Sequence, residues 1–163
     1  MEMIGDFTTT LVDALDEIDS NWREYPGLIV AGTHTPKFVE ETISRVREAV
    51  LNGEPFLGIC HGYQIAVISY ARDILGIKDA TSEEYGTPGT FVISKRKAGL
   101  VCGEGVDGES YWSNFDVNSD IIKLPIEFQE NIFAVPYHPE YESHKARPHP
   151  FLVNFLEYAE LRA

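Results

Sequence analysis

Cys60 stands where an apolar run, Pro55-Phe56-Leu57-Gly58-Ile59, gives way to a helical pattern, and Gly62 follows two residues later. This is the layout of a nucleophile elbow, a buried strand turning sharply into a helix and presenting one side chain at the bend. Gly58 and Gly62 suit it, because a side chain at either position would crowd the turn. A helix N-terminus behind Cys60 would favour the thiolate and offer backbone N–H groups to a developing oxyanion. The same residues also describe a buried, inert cysteine, the usual fate of a lone one. The local pattern leaves both readings open.

A second group narrows them. In Val135-Pro136-Tyr137-His138-Pro139-Glu140, a histidine and a glutamate lie just beyond an apolar strand. Catalytic residues gather at the C-terminal edge of open α/β sheets, and Cys60 occupies that position on its own strand. His138 would take the thiol proton, and Glu140 would fix the imidazole tautomer and stabilise the imidazolium. Alone, His138 reads as a packing or surface histidine and Glu140 as a solvated carboxylate. Together with the elbow they make a Cys-His-Glu site the better reading. His61 adjoins the thiol in sequence and His34 lies in the loop after residues 27–31, whereas His144 and His149 are placed in a polar C-terminal loop.

The elements that must position these groups follow from periodicity. Leu11, Ala14, Leu15 and Ile18 have helical spacing, and residues 27–31 read as a short buried strand. Thr35 is expected to cap the next helix with Pro36 at its first position. Phe38, Ile43, Val46, Val50 and Leu51 would line that helix, and Asn52-Gly53 would end it. A strand over 56–59 and a helix from His61 to Leu75, stopped by Gly76, come next. Met1–Gly5, Phe91-Val92-Ile93, residues 110–117 and residues 132–137 predict further strands, and residues 151–159 a closing amphipathic helix. This alternation predicts an α/β fold, an open and mostly parallel sheet with helices on both faces and right-handed crossovers.

Composition bounds the rest. The 163 residues are expected to form one domain spanning 1–163. Thirteen basic against 26 acidic residues, a net charge of −13, argue against nucleic acid, which needs a basic footprint. Two cysteines, Cys60 and Cys102, make no disulfide framework, and no cysteine or histidine cluster predicts a metal. No cofactor is expected. With no spanning apolar run and no basic-led signal peptide, the cytoplasm is the expected compartment and a membrane is not a partner.

Gly58-Ile59-Cys60-His61-Gly62-Tyr63-Gln64 and Tyr137-His138-Pro139-Glu140-Tyr141 resemble the two signatures of triad (class I) glutamine amidotransferases. Residues 66–72, 79–85, Gly89-Thr90-Phe91 and 109–118, with the tail from His138 to Leu156, resemble the glutaminase domain of the CTP synthases. The resemblance implies a flavodoxin-like amidotransferase fold in a shortened stand-alone protein. It also implies that Cys60 attacks the glutamine amide to form a glutamyl thioester, with His138 as base then acid and Glu140 orienting it. The oxyanion hole would come from the N–H of His61 and from the Gly32-Thr33 loop. Gln64 and Glu84 match positions near bound glutamine, Glu84 pairing with its α-ammonium.

The chain also departs from that family. Thr33 stands where the family has glycine, so a left-handed backbone there would force a different loop. The arginine expected on the substrate carboxylate falls at Asn114, with Arg96 or Lys97 as candidate substitutes. A further family arginine is replaced by Val92. Three readings follow: a glutaminase feeding a separate synthetase subunit, the same triad on another small amide or γ-glutamyl compound, and a non-catalytic regulatory module.

Overall fold

A computed structural model describes residues 1–95 and 114–163. Arg96, Lys97, Cys102, Trp112 and the expected strand before Asn114 lie outside the described residues. The elements run β1 (Glu2–Ile4), α1 (Thr9–Ile18), β2 (Leu28–Val30), α2 (Val39–Leu51), β3 (Phe56–Ile59), α3 (His61–Asp73), β4 (Ala80–Ser82), β5 (Thr90–Lys95), β6 (Phe115–Val117), β7 (Ile132–Val135) and α4 (Pro150–Glu160). Short 3-10 turns over Glu83–Tyr85 and Pro139–Tyr141 follow β4 and β7.

The main sheet has the order β1-β2-β3-β7 and is parallel throughout. Val30 lies opposite Gly58, Gly58 opposite Ala134, and Ile59 opposite Val135. This register brings the loop after β2, Cys60 after β3 and the segment after β7 to one edge. The Cys60 N–H donates to the Val135 carbonyl at 3.0 Å, tying the bend to β7.

β2 and β3 are buried on both faces, as their continuous apolar runs require. Leu28, Val30 and Phe56 pack with Ile43, Val46 and Ala49 of α2 and Ile65, Val67 and Ile68 of α3. Ile29, Leu57 and Ile59 pack on the opposite side with Leu11 and Leu15 of α1 and Leu152 and Phe155 of α4. The expected helices on both faces are therefore present. Ala80, Val92, Ile93 and Val117 of a second sheet, β4-β5-β6, join the cluster holding α3. α3 is thus covered on both sides, which is why it is apolar nearly all round.

Successive steps β1→β2 and β2→β3 move the same way across the sheet, yet α1 and α2 lie on opposite faces. The two crossovers therefore differ in hand. α2 also begins later than expected. Thr33 and Thr35 hydroxyls both donate to Asp6 Oδ2, at 2.6 and 3.3 Å, so Thr35 is engaged elsewhere. The chain turns once more through Phe38, at φ 53°, before Val39 opens the helix. Phe38 and Leu51, expected on its inner face, are 74% and 80% exposed. His149 is buried rather than in a polar loop, and its Nδ1 accepts the Phe151 N–H at 3.1 Å to cap α4.

Candidate active site

Cys60 occupies a strained bend with φ 54° and ψ −98°, beyond β3 and ahead of the first residue of α3. Neither glycine of the elbow tolerates a side chain. A Cβ on Gly58 would lie 2.7 Å from the Gly62 carbonyl oxygen, and one on Gly62 would overlap the Val30 carbonyl. Strand and helix cross closely enough to force the sharp turn, and the turn presents the thiol at the sheet edge.

His138 and Glu140 are buried beside it, 6% and 3% exposed. His138 Nδ1 is 2.7 Å from Glu140 Oε1, which leaves the other ring nitrogen for Cys60. Burial alone would lower the His138 pKa. The hydrogen bonds from Cys60 and Glu140, with their charges, outweigh it and push the imidazole up to about 9. At neutral pH the ring is an imidazolium between a sulfur and a carboxylate. The second oxygen, Glu140 Oε2, is buried without a hydrogen-bond partner among the described residues. Tyr141, half exposed, lies with its ring 5.2 Å from that of His138.

Gly32 completes the approach. A Cβ there would lie 3.2 Å from His138 Cε1 and 3.7 Å from Cys60 Cβ, so the loop passes directly over both. Its carbonyl accepts the N–H groups of Asp6 and Phe7 at 3.3 and 3.1 Å, on the β1 side. A trans peptide points the following N–H, that of Thr33, away from the Asp6 and Phe7 amides. Thr33 is not among the positive-φ residues. Its side chain therefore costs no backbone strain, and its hydroxyl fastens the loop to Asp6 instead.

Gln64 and Glu84 are brought together. Gln64 Nε2 donates to Glu84 Oε2 at 2.8 Å, the Ser82 hydroxyl donates to Gln64 Oε1 at 2.9 Å, and the Glu84 N–H donates to the Ser82 oxygen at 3.2 Å. Ser82, absent from the sequence-derived site, closes this circuit. Asn114 is exposed, one residue ahead of β6. Phe115 and Asp116, rather than Asn114, line a small hollow of about 10 Å³ with Cys60, Tyr63, Gln64, Ile93 and Pro136. Asp116 had no sequence signal beyond its place on an expected strand.

His61, at the first position of α3, is 5% exposed, and its Nδ1 is 3.1 Å from the Tyr85 hydroxyl. Burial, opposed only in part by the charge of Asp6, lowers its pKa to about 4, so the ring is neutral. Among the described residues no cluster could hold a metal ion, and no helix is long and apolar enough to cross a membrane.

A family model for the class-I glutamine amidotransferases matches residues 6–158. The chain is 28% identical over 180 residues to a CTP synthase of Methanoregula boonei, covering 83% of this chain and 34% of that protein. It is 47% identical over 68 residues to a CTP synthase of Methanoculleus marisnigri, covering 42% and 13%. The chain thus spans about a third of the first relative's length. Among solved structures, the glutaminase domain of Trypanosoma brucei CTP synthase with bound acivicin superposes with a TM-score of 0.73 at 16% identity. That superposition covers 100% of this chain and 95% of that domain, and it shows a shared fold.

Proposed function

The chain belongs to the class-I glutamine amidotransferase family, and on that footing we propose that it hydrolyses the side-chain amide of glutamine through a cysteine-dependent thioester. The observation that carries the reading is the buried His138–Glu140 pair standing beside the half-buried Cys60 at the strained bend. The thiolate is the species that attacks, and His138 is placed to hold its proton. The sulfur adds to the carboxamide carbon, and negative charge moves to the oxygen. The N–H groups of His61 and Thr33 would receive that charge.

When the C–N bond breaks, His138 gives its proton to the departing nitrogen, which leaves as ammonia. The neutral ring then takes a proton from water, whose oxygen attacks the thioester carbon. The C–S bond breaks, glutamate leaves, and the thiolate–imidazolium pair is restored. Glu140 holds the ring in one tautomer. Glu84, steadied by Gln64 and Ser82, would take the substrate's α-ammonium. The 163 residues would act as one glutaminase unit in the cytoplasm, and the ammonia would pass to a separate synthetase subunit.

A second reading keeps the triad and changes the carboxamide. It is favoured by the exposure of Asn114 and by the hollow at Cys60, whose described lining carries a carboxylate and no arginine or lysine. One assay separates the two readings. Purified protein with glutamine should release ammonia and glutamate in equal amounts, and Cys60→Ala should abolish both. A glutamine-like diazo-ketone should label Cys60. Reaction of Cys60 with iodoacetamide, but neither turnover nor labelling by the analogue, would refute glutamine as substrate.

A further inference from the structure

The Tyr85 hydroxyl and the His61 imidazole form a buried neutral pair joining two parts of the site that are separate in sequence. Their rings meet edge-on at 5.6 Å, with the hydroxyl 3.1 Å from Nδ1. His61 is the residue after the nucleophile and opens α3. Tyr85 closes the 3-10 turn Glu83–Tyr85, which also carries Glu84 and ends at the left-handed Gly86. The pair therefore links the elbow to the turn holding the carboxylate of the ammonium pocket.

Both partners are locked in the neutral state. Burial holds His61 at about 4, and burial, then the charges of Glu84 and Cys60, raises Tyr85 well above the ordinary phenol range. Tyr85 follows Glu84 in the turn and its hydroxyl meets His61, the residue after Cys60, so it stands between the groups that would grip opposite ends of a substrate. A neutral O–H and imidazole pair adds no charge between them. It leaves the carboxylate field of Glu84 for an ammonium and the imidazolium of His138 for the sulfur.

We propose that Tyr85 is a positioning residue, whose hydrogen bond to His61 sets the distance between the Cys60 nucleophile and the Glu84 carboxylate and so the length of substrate the site accepts. Gln64, Ser82 and Glu84 fix the carboxylate within its turn, whereas Tyr85 fixes that turn against the elbow. The proposal rests on the glutaminase reading for its substrate but not for the link itself.

The test is a double-mutant cycle on the full chain with Tyr85→Phe, His61→Leu and both together. Protection of Cys60 from iodoacetamide by L-glutamine reads binding, and ammonia release reads turnover. Each single variant should weaken glutamine protection and raise KM about five- to tenfold, and Tyr85→Phe, which leaves the elbow residues in place, should keep kcat within about twofold and the unprotected alkylation rate unchanged. The double variant should match the singles, since one link is lost in all three. Losses that multiply in the double, or a kcat loss equal to the KM change, would overturn the proposal.

If glutamine fails to protect wild-type Cys60, the glutamine reading falls and the link is read by amide hydrogen exchange at residues 83–86. Exchange there should quicken by the same factor in both singles and in the double. Unchanged exchange would overturn the link.

Discussion

Replacing Glu140 with glutamine keeps the shape of the His138 partner and removes its charge. In the native protein His138 is held up at about 9, against an ordinary 6.5, with burial working in the opposite direction. At 1.36 kcal/mol per unit the gap corresponds to about 3 kcal/mol favouring the protonated folded state. His138 binds its proton more tightly folded than unfolded. That stabilisation is therefore complete below about pH 6.5 and is lost as pH rises through about 9. In Glu140→Gln the carboxylate's share of the upward push is gone, and the ring should titrate well below its native value.

Urea unfolding of the two proteins between pH 6 and 10 measures the effect. The native advantage should be greatest, about 2–3 kcal/mol, near pH 6 and shrink toward pH 10. Imidazole NMR should place the His138 titration near 9 in the native protein. At pH 7, alkylation of Cys60 by iodoacetamide should fall about tenfold or more in the variant, since the imidazolium no longer stands beside the sulfur. A stability difference constant across pH 6–10, or a native His138 titrating at 6.5, would refute the ion-pair reasoning.

Gly62→Ala drives a methyl group into the Val30 carbonyl, so strand and helix must separate. Loss of about 3 kcal/mol or more of stability by urea titration is expected, and loss of about a hundredfold or more in kcat if the chain still folds. Asp6→Ala removes the acceptor of both Thr33 and Thr35 hydroxyls. Because this loosens the loop carrying the Thr33 N–H, kcat for ammonia release should fall about fivefold, with KM little changed. Arg45 joins Glu2 of the edge strand to Glu54 before β3 through bonds of 2.8–3.0 Å, and it is one-quarter exposed. Arg45→Ala should cost about 1–2 kcal/mol by urea unfolding, an amount reduced in high salt.

The elbow was legible because its requirements are local. A buried strand needs a run such as Phe56–Ile59, and a bend this tight needs glycine at 58 and 62, so sequence spacing alone located Cys60. His138 and Glu140 were legible as a pair because they follow a strand end two residues apart. The start of α2 was misread because Thr35 has the chemistry of a cap, while Asp6, 29 residues away, already holds its hydroxyl. Which face each helix covers was not legible, because nothing local records it.

Sequence by itself determined the bend at Cys60, the pairing of His138 with Glu140 and the parallel α/β plan, since each rests on residue type and short spacing. Only the tertiary structure decided what surrounds them. Register between β3 and β7 set His138 beside Cys60, and burial made one histidine a cation and another a neutral ring. Ser82, Tyr85 and Asp116 entered the site through strands and turns whose approach no local pattern encodes. Distances between segments, and the dielectric around each group, arise only when the chain is packed.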